Sequence, residues 1–489
     1  MAFDCDVLIV GGGPTGVTLG ILLADAGVNT IIAEREADIY PLPRAAHIDH
    51  ESMRILQAAR VADQVMATSR QTTRYDFLNA KGEILLRFDK SDHLGPGGWP
   101  AANFIHQPSV ERALRGRLAT LPAAELRSQW RLLDFAEDGE GVTARFETPG
   151  GERFLRAKWL VGADGARSPV REGAGIGFDD LGFDEPWLVI DTIVQDFERL
   201  PKVNLQICDP DRPTTCVLMG EGRHRWEFMI KPGETPEQVT EDAFIARLLA
   251  PWNVEGAVTL ERKAVYRFHA RIATHWRKGR VLLAGDAAHQ TPPFAGQGLC
   301  SGLRDALNIG WKLPLVIGGK AGPALLDSYQ PEREANVRGM IAMAMMMGKT
   351  VCITDPAAAA ARDADMLAAR AAGGAPDGPP VYPPILAGCI LSGSPGAGGY
   401  FPQFVGADGT RSDNALPAGA VMIGAAPPAG TAIAWLGVED PRLGDAASKI
   451  GAELARLGQP AILVRPDRHI FGAGDPAALA TAWEAALAA

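Results

Sequence analysis

The chain has no two cysteines close enough to act together. Its six, Cys5, Cys208, Cys216, Cys300, Cys352 and Cys389, are scattered through 489 residues without a CxxC. That excludes a dithiol redox centre and argues against a disulfide framework or a zinc site. No metal is expected, and a reducing cytoplasm fits. Positive charge is also short, with 48 Lys and Arg against 58 Asp and Glu and a net charge of −10, so neither free nucleic acid nor an anionic membrane is an expected partner. A membrane-length apolar run is missing too. The nearest approach, residues 6–26, has Asp4 where a basic leader would stand and is broken by Gly11, Gly12, Gly13, Pro14 and Gly16, which suits a folded strand and helix rather than a span. There is no internal repeat and no second complete GxGxxG.

What is present suffices for two or three domains, since 47% hydrophobic and 22% charged residues is ordinary globular composition. Up to about Gly348 the chain alternates strand-like and helical stretches in the manner of an α/β protein. Residues 355–384 are dense in Ala, Gly and Pro and read as an arm and linker. Beyond them, 418–423, 431–436 and 460–464 read as strands and 445–457 as a helix, the spacing of a small αβ unit.

Three motifs carry chemistry. In the first, the apolar strand Asp6-Val-Leu-Ile-Val10 runs into Gly11-Gly12-Gly13-Pro14-Thr15-Gly16 and then a helix. Gly11 permits the turn, Gly13 lets the backbone approach a pyrophosphate, Gly16 permits close helix packing, and the free N–H groups at the helix start receive the phosphate charge. A second strand ends at Glu34, where a carboxylate can accept hydrogen bonds from adenosine ribose hydroxyls; Arg35 beside it is counted with the cofactor site. This motif alone does not separate FAD from NAD. Asp164, in Gly162-Ala-Asp-Gly165, and Asp286, in Gly285-Asp-Ala-Ala-His289, each stand at the C-terminal end of an apolar strand, where α/β sheets bind ligands. Gly296, Gln297 and Gly298 open a helix whose N-terminus can stabilise negative charge.

Together these motifs resemble the three fingerprints of the single-component flavoprotein aromatic hydroxylases, the para-hydroxybenzoate hydroxylase class. The stretch from Gly285 to Lys312, with Pro43-Arg44-Ala45 and Ile48-Asp49, is similar to the 3-(3-hydroxyphenyl)propionate hydroxylase branch. The resemblance implies an α/β fold: a Rossmann-like FAD-binding domain (1–72, 100–178 and 264–350) with an inserted β-sheet substrate domain (73–99 and 179–263). A helical arm and linker (351–389) and a thioredoxin-like C-terminal domain without CxxC (390–489) complete it. Asp286 then holds the ribityl chain, Asp164 with Gly165 serves FAD and nicotinamide use, Arg44 and Gln107 touch the flavin, and Pro292 and Pro293 lie beside its reactive edge. The implied activity is NAD(P)H-dependent hydroxylation of a small phenolic ring through a C4a-hydroperoxyflavin, with O2 as co-substrate and a homodimer as the assembly. Polyketide-type hydroxylation or epoxidation on the same fold is the main alternative. A flavin redox sensor without turnover is the other.

Several conspicuous residues carry plainer readings beside these. The run Met340, Met343, Met345, Met346 and Met347 suits adaptable core. His289 reads as structural. His47 and His50 neighbour Arg44 and are candidates for contact with substrate or flavin, His47 being carried as a catalytic candidate, and equally for packed histidines. The segment Arg223-His-Arg-Trp-Glu227 alternates like a strand with Trp226 as its packing residue, anion recognition by an arginine being the lesser reading.

Overall fold

A computed structural model describes residues 2–373 and 382–488. Its first sheet has eight strands, in the path Arg277–Lys278, Val281–Leu283, Gly151–Gly162, Cys5–Val10, Thr30–Glu34 and Ala124–Ser128, with an antiparallel extension of Arg131–Glu137 and Val142–Thr148. Cys5–Val10 pairs in parallel with both neighbours, and Gly151–Gly162 pairs in parallel with Val281–Leu283. Parallel strands are covered on both faces, so they read as unbroken apolar runs; Val7, Leu8 and Ile9 are fully buried. Helix Pro14–Asp25 covers this sheet and packs against helix Gly298–Ile317, where a Cβ on Gly310 would meet Leu22 at 3.1 Å.

The second sheet also has eight strands, ordered His289–Gln290, Val258–Ala273, Phe178–Val194, Arg223–Met229, Thr214–Leu218, Asn204–Cys208, Arg74–Asn79 and Ile84–Asp89. Its spine is the antiparallel pair Phe178–Val194 and Val258–Ala273, and the latter runs unbroken through the expected boundary at 263. One face buries Leu188, Ile190, Trp226 and Phe228 beneath helix Asp242–Leu249. The other face meets the first layer.

The expected arm contains helix Pro356–Ala371, begun by Asp355, whose carboxylate accepts from the N–H of Ala358. The part of the expected linker at 374–381 lies outside the described residues. Beyond it a four-stranded sheet, ordered Ala434–Leu436, Val421–Gly424, Ala461–Val464 and Ile470–Gly474, is flanked by helices Ala446–Leu457 and Pro476–Ala488. The alternation had suggested three of these strands and the first helix. Ile470–Gly474 was missed because Gly472 and Gly474 dilute its pattern, and the Ala-rich last helix because Ala marks no face. This unit is firmly docked: Arg54 Nη1 donates to the Phe401 carbonyl at 2.6 Å, and the rings of Trp311 and Trp483 stack with centroids 6.0 Å apart.

Candidate active site

The first motif folds as its residue types dictate. Gly11 has φ +113°, where L side chains are strained, and a Cβ there would meet the Ala163 carbonyl oxygen at 2.2 Å. A Cβ on Gly16 would meet the Gly11 carbonyl oxygen at 2.0 Å, which closes the turn onto the helix. Gly13 differs, because a Cβ there would meet no protein atom within 4 Å. Its open side and the start of helix Pro14–Asp25 form a cradle for a phosphate. The Glu34 carboxylate accepts from the N–H groups of Gly12 (2.6 Å) and Glu36 (2.8 Å), keeping lone pairs for a ribose, while exposed Arg35 pairs with Glu36.

The third motif meets the first through Thr15. Cβ atoms on Gly285 and Gly302 would stand 3.0 and 2.4 Å from its hydroxyl, so both glycines exist to admit that side chain. Asp286 is enclosed by protein yet reached by solvent, and its carboxylate has no hydrogen-bond partner among the described residues. Burial raises its pKa above the usual carboxylate value, tempered by His289 and Arg44. A solvent-reached carboxylate that no protein donor engages is free to accept hydrogen bonds from a ligand, and the hydroxyls of a ribityl chain are of the right kind. Cradle and carboxylate thus fit FAD.

Asp164 takes a different posture. Its Oδ2 accepts from the Val170 N–H at 3.0 Å in the first turn of helix Pro169–Gly173, which Ser168 caps, while Oδ1 is buried without a partner. Burial pushes its pKa up to about 6. Gln107 is engaged in scaffolding: its Oε1 accepts from the N–H groups of Arg44 (3.2 Å) and Ala45 (2.8 Å), and its Nε2 donates to Glu111. The Arg44 guanidinium is exposed over the Tyr40 ring, while Arg225 fixes the backbone beneath it. Arg225 also binds Asp191 at 2.6 Å, so its charge serves the fold and no free anion site exists at that arginine.

Pro292 is buried, and the single turn Pro293–Ala295 ends at Gly296 with φ +63°. His47 Nδ1 lies 3.2 Å from the Gly296 carbonyl, and burial lowers its pKa. Gln297 binds Arg304 and Tyr382, whereas Gly298 faces open space. His50 is structural: its Nδ1 accepts from the Gly97 N–H at 3.1 Å. His289 is structural as well, with Nε2 2.6 Å from Asp305. Of the methionines, Met340 and Met347 are core, while Met346 is 57% exposed, which departs from the core reading for that residue.

Three groups near this cleft were not singled out from sequence. Arg304 is buried and donates to Asp49 and Glu51; its position beside Asp305 in the fingerprint was the available signal. Tyr75 stands by the Pro293–Ala295 turn, its hydroxyl 3.5 Å from the Phe294 carbonyl. Glu227 follows Arg225 by two residues, and strand alternation alone puts both on one face.

An eight-stranded α/β layer with a phosphate cradle at one strand end and a lone carboxylate at another defines a dinucleotide-binding flavoprotein. The chain belongs to the family described as FAD binding domain, whose model matches residues 4–344. It is 39% identical over 414 residues to the probable NADH-specific resorcinol 4-hydroxylase of Rhodococcus jostii (strain RHA1), covering 84% of this chain and 76% of that protein. It is 40% identical over 366 residues to the 3-(3-hydroxy-phenyl)propionate/3-hydroxycinnamic acid hydroxylase of Mycobacterium sp. (strain JLS), covering 74% of this chain and 62% of that longer protein. Among solved structures it matches aklavinone-11 hydroxylase in complex with FAD and aklavinone, with 26% identity, a TM-score of 0.80, and coverage of 100% of this chain and 99% of that one. Among the described residues no single helix is long and apolar enough to cross a membrane.

Proposed function

We propose that the chain hydroxylates a small phenol at the expense of NADH or NADPH and O2, with FAD held between its first two sheets. The observation that carries this is the unpartnered carboxylate of Asp286, which follows a strand parallel to the one that runs into the turn of Gly11 and Gly13, so both stand at the same end of the sheet. When bound, FAD supplies the redox and oxygen chemistry. The chain does the rest. Amides at the start of helix Pro14–Asp25 bind the pyrophosphate, Glu34 accepts from the adenosine ribose, and Asp286 accepts from the ribityl hydroxyls. Arg44, on a loop fixed by Gln107 and Arg225, supplies positive charge towards Asp286. Gly296, Gln297 and Gly298 present helix N–H groups to negative charge, and His47 stays neutral against the Gly296 carbonyl. Pro292 and Pro293 wall the reacting edge, where Phe294 with Phe183, Trp187 and Phe268 excludes water.

The relative named for resorcinol supports the small phenol, and its NADH specificity favours that reductant. The match over full length to aklavinone-11 hydroxylase keeps a polycyclic substrate as a second reading. The division of the chain into the ranges expected above, a homodimer and a cytoplasmic location belong to the same proposal; light scattering and cell fractionation test the last two. The main experiment mixes purified protein with NADH, O2 and a panel of monocyclic and polycyclic phenols, and identifies products. Phenol-stimulated NADH oxidation with a hydroxylated product is expected. An oxidised flavin that NADH never bleaches, whatever phenol is present, would leave the redox sensor instead.

A further inference from the structure

The face that the second sheet turns to the flavin layer is organised in rows across its strands. One row aligns Arg262, Asp191 and Arg225, whose guanidinium groups bond to the carbonyls of Pro43 and Arg44. Four residues along the central strand, Tyr266, Trp187 and Met229 align, and Trp187 packs edge-on against Phe294 with centroids 5.5 Å apart. Both rows therefore touch the opposite layer. The row between them is Ala264, Val189, Glu227 and Thr215. Three of its four side chains are short, and a short row between two rows that make contact leaves a hollow.

Glu227 stands in that hollow. The residue is 5% exposed, and nothing among the described residues hydrogen-bonds to its carboxylate. Arg225 Nη1 lies 3.6 Å from Oε1 of Glu227, but its guanidinium is already committed to Asp191 and to the loop carbonyls. The carboxylate oxygens still meet solvent and no N–H or O–H of the described residues donates to them, so they are free to accept from a ligand. The remaining wall is neutral: Thr215 donates to Gln206 at 2.7 Å, and Gln206 donates to the hydroxyl of Tyr75. Burial raises the Tyr75 pKa, so it stays an uncharged donor.

We propose that Glu227 accepts a hydrogen bond from a second ring hydroxyl of the substrate, so that the hollow takes neutral benzenediols in preference to phenols bearing a carboxylate side chain. This rests on the hydroxylase reading and narrows it. A hydroxyl at that place donates to the carboxylate; a carboxylate there meets like charge and leaves both groups without a donor. The competing feature is Arg262, whose Nε and Nη2 are buried without partners. It lies in the row bonded to Pro43 and is spread over the Tyr266 ring, 4.9 Å from its centroid.

The test titrates the FAD-loaded protein with resorcinol and with 3-(3-hydroxyphenyl)propionate, following the visible absorbance of the flavin without reductant. Wild type, Glu227→Gln, Glu227→Ala and Arg262→Met are compared, and the FAD-to-protein ratio reports folding of each variant. Wild type is expected to bind resorcinol at least about tenfold more tightly than the carboxylated phenol. Glu227→Ala is expected to lose about tenfold or more of that affinity, and Glu227→Gln, close in shape, to lose most of the preference. A wild type that prefers the carboxylated phenol and loses it in Arg262→Met would overturn the inference. So would Glu227 variants that bind resorcinol like wild type, or a wild type that does not bind it. Resorcinol held through Glu227 but never hydroxylated would sink the hydroxylase reading while leaving this one standing.

Discussion

Arg465, from the C-terminal unit, donates through Nη2 to Oε2 of Glu332 at 2.7 Å, both side chains being fully buried. The same oxygen accepts from Lys312 Nζ at 2.9 Å and from Asn308 Nδ2 at 2.6 Å, while Oε1 accepts from the Cys389 N–H at 2.8 Å. One carboxylate thus joins the helix that begins at Gly298, the helix Tyr329–Val351 and the appended sheet. Although burial pushes it up, Arg465 and Lys312 hold the Glu332 pKa at about 2.

Glu332→Ala removes the anion shared by two buried cations, and breaking a buried pair this way costs about 3–5 kcal/mol. Denaturant unfolding should report a loss of that size. The sign with pH follows from the depressed value: the contribution is present above the unfolded pKa and is lost as pH falls through about 2. Acid titration of wild type and variant should therefore converge at the acid end.

Asp164 has the opposite sign. Its folded pKa of about 6 exceeds the ordinary value of 3.8, so the folded protein binds the extra proton, and this group withdraws stability as pH rises through that window. Asp164→Asn can still accept from the Val170 N–H and carries no charge. The dependence of Tm on pH between roughly 4 and 6 should flatten in the variant; an unchanged slope would show that Asp164 is not the titrating group.

Asp286→Ala removes the unpartnered carboxylate and leaves the fold with nothing to repair. The variant should purify with less than about half of the wild-type FAD content, with an unchanged far-ultraviolet spectrum; losing a charge-assisted hydrogen-bond acceptor of this kind weakens binding by about 1.5–3 kcal/mol. Full occupancy with unaltered affinity would refute the assignment.

Cys389→Ser probes the appended unit. Burial pushes this thiol up to about 11, and its residue meets the rest of the chain through backbone atoms, the N–H to Glu332 and the carbonyl to Arg465. A protonated, partnerless thiol does not exchange electrons. Turnover with a competent phenol should stay within about twofold. A loss beyond about tenfold, roughly 1.4 kcal/mol of barrier, with FAD content intact would give the unit a part in the chemistry.

The candidate nucleotide cradle is legible in the sequence because its glycines act through backbone. A turn that needs φ +113° at Gly11, and a carbonyl 2.2 Å from where its Cβ would stand, leave glycine as the only choice, so the requirement is written in the sequence. Asp286 was legible because it ends an apolar strand. The substrate half was less so. Glu227 and Tyr75 lie on strands far apart in sequence, and only the register that sets Thr215 opposite Glu227 brings them to one wall. Gln107 shows the converse: the family resemblance implies flavin contact for it, whereas the scaffolding task of its side chain depends on two N–H groups more than sixty residues away.

The pair Phe178–Val194 and Val258–Ala273 is a single ribbon, and that has a mechanical consequence. Its pairing is interrupted only between Asp180 and Asp184 and between Asp191 and Thr192, and such interruptions are where a strand bends. From Asp184 to Asp191, including Val189 and Trp187 in the floor of the hollow, the ladder is continuous. The floor is therefore a stiff stretch, and Arg223–Met229 pairs with its other side in unbroken register from Trp187 to Ile193, across the interruption between Asp191 and Thr192. Bending concentrates at the interruption between Asp180 and Asp184, so ligands of different bulk would tilt the paired stretch as a whole and leave its rows in register.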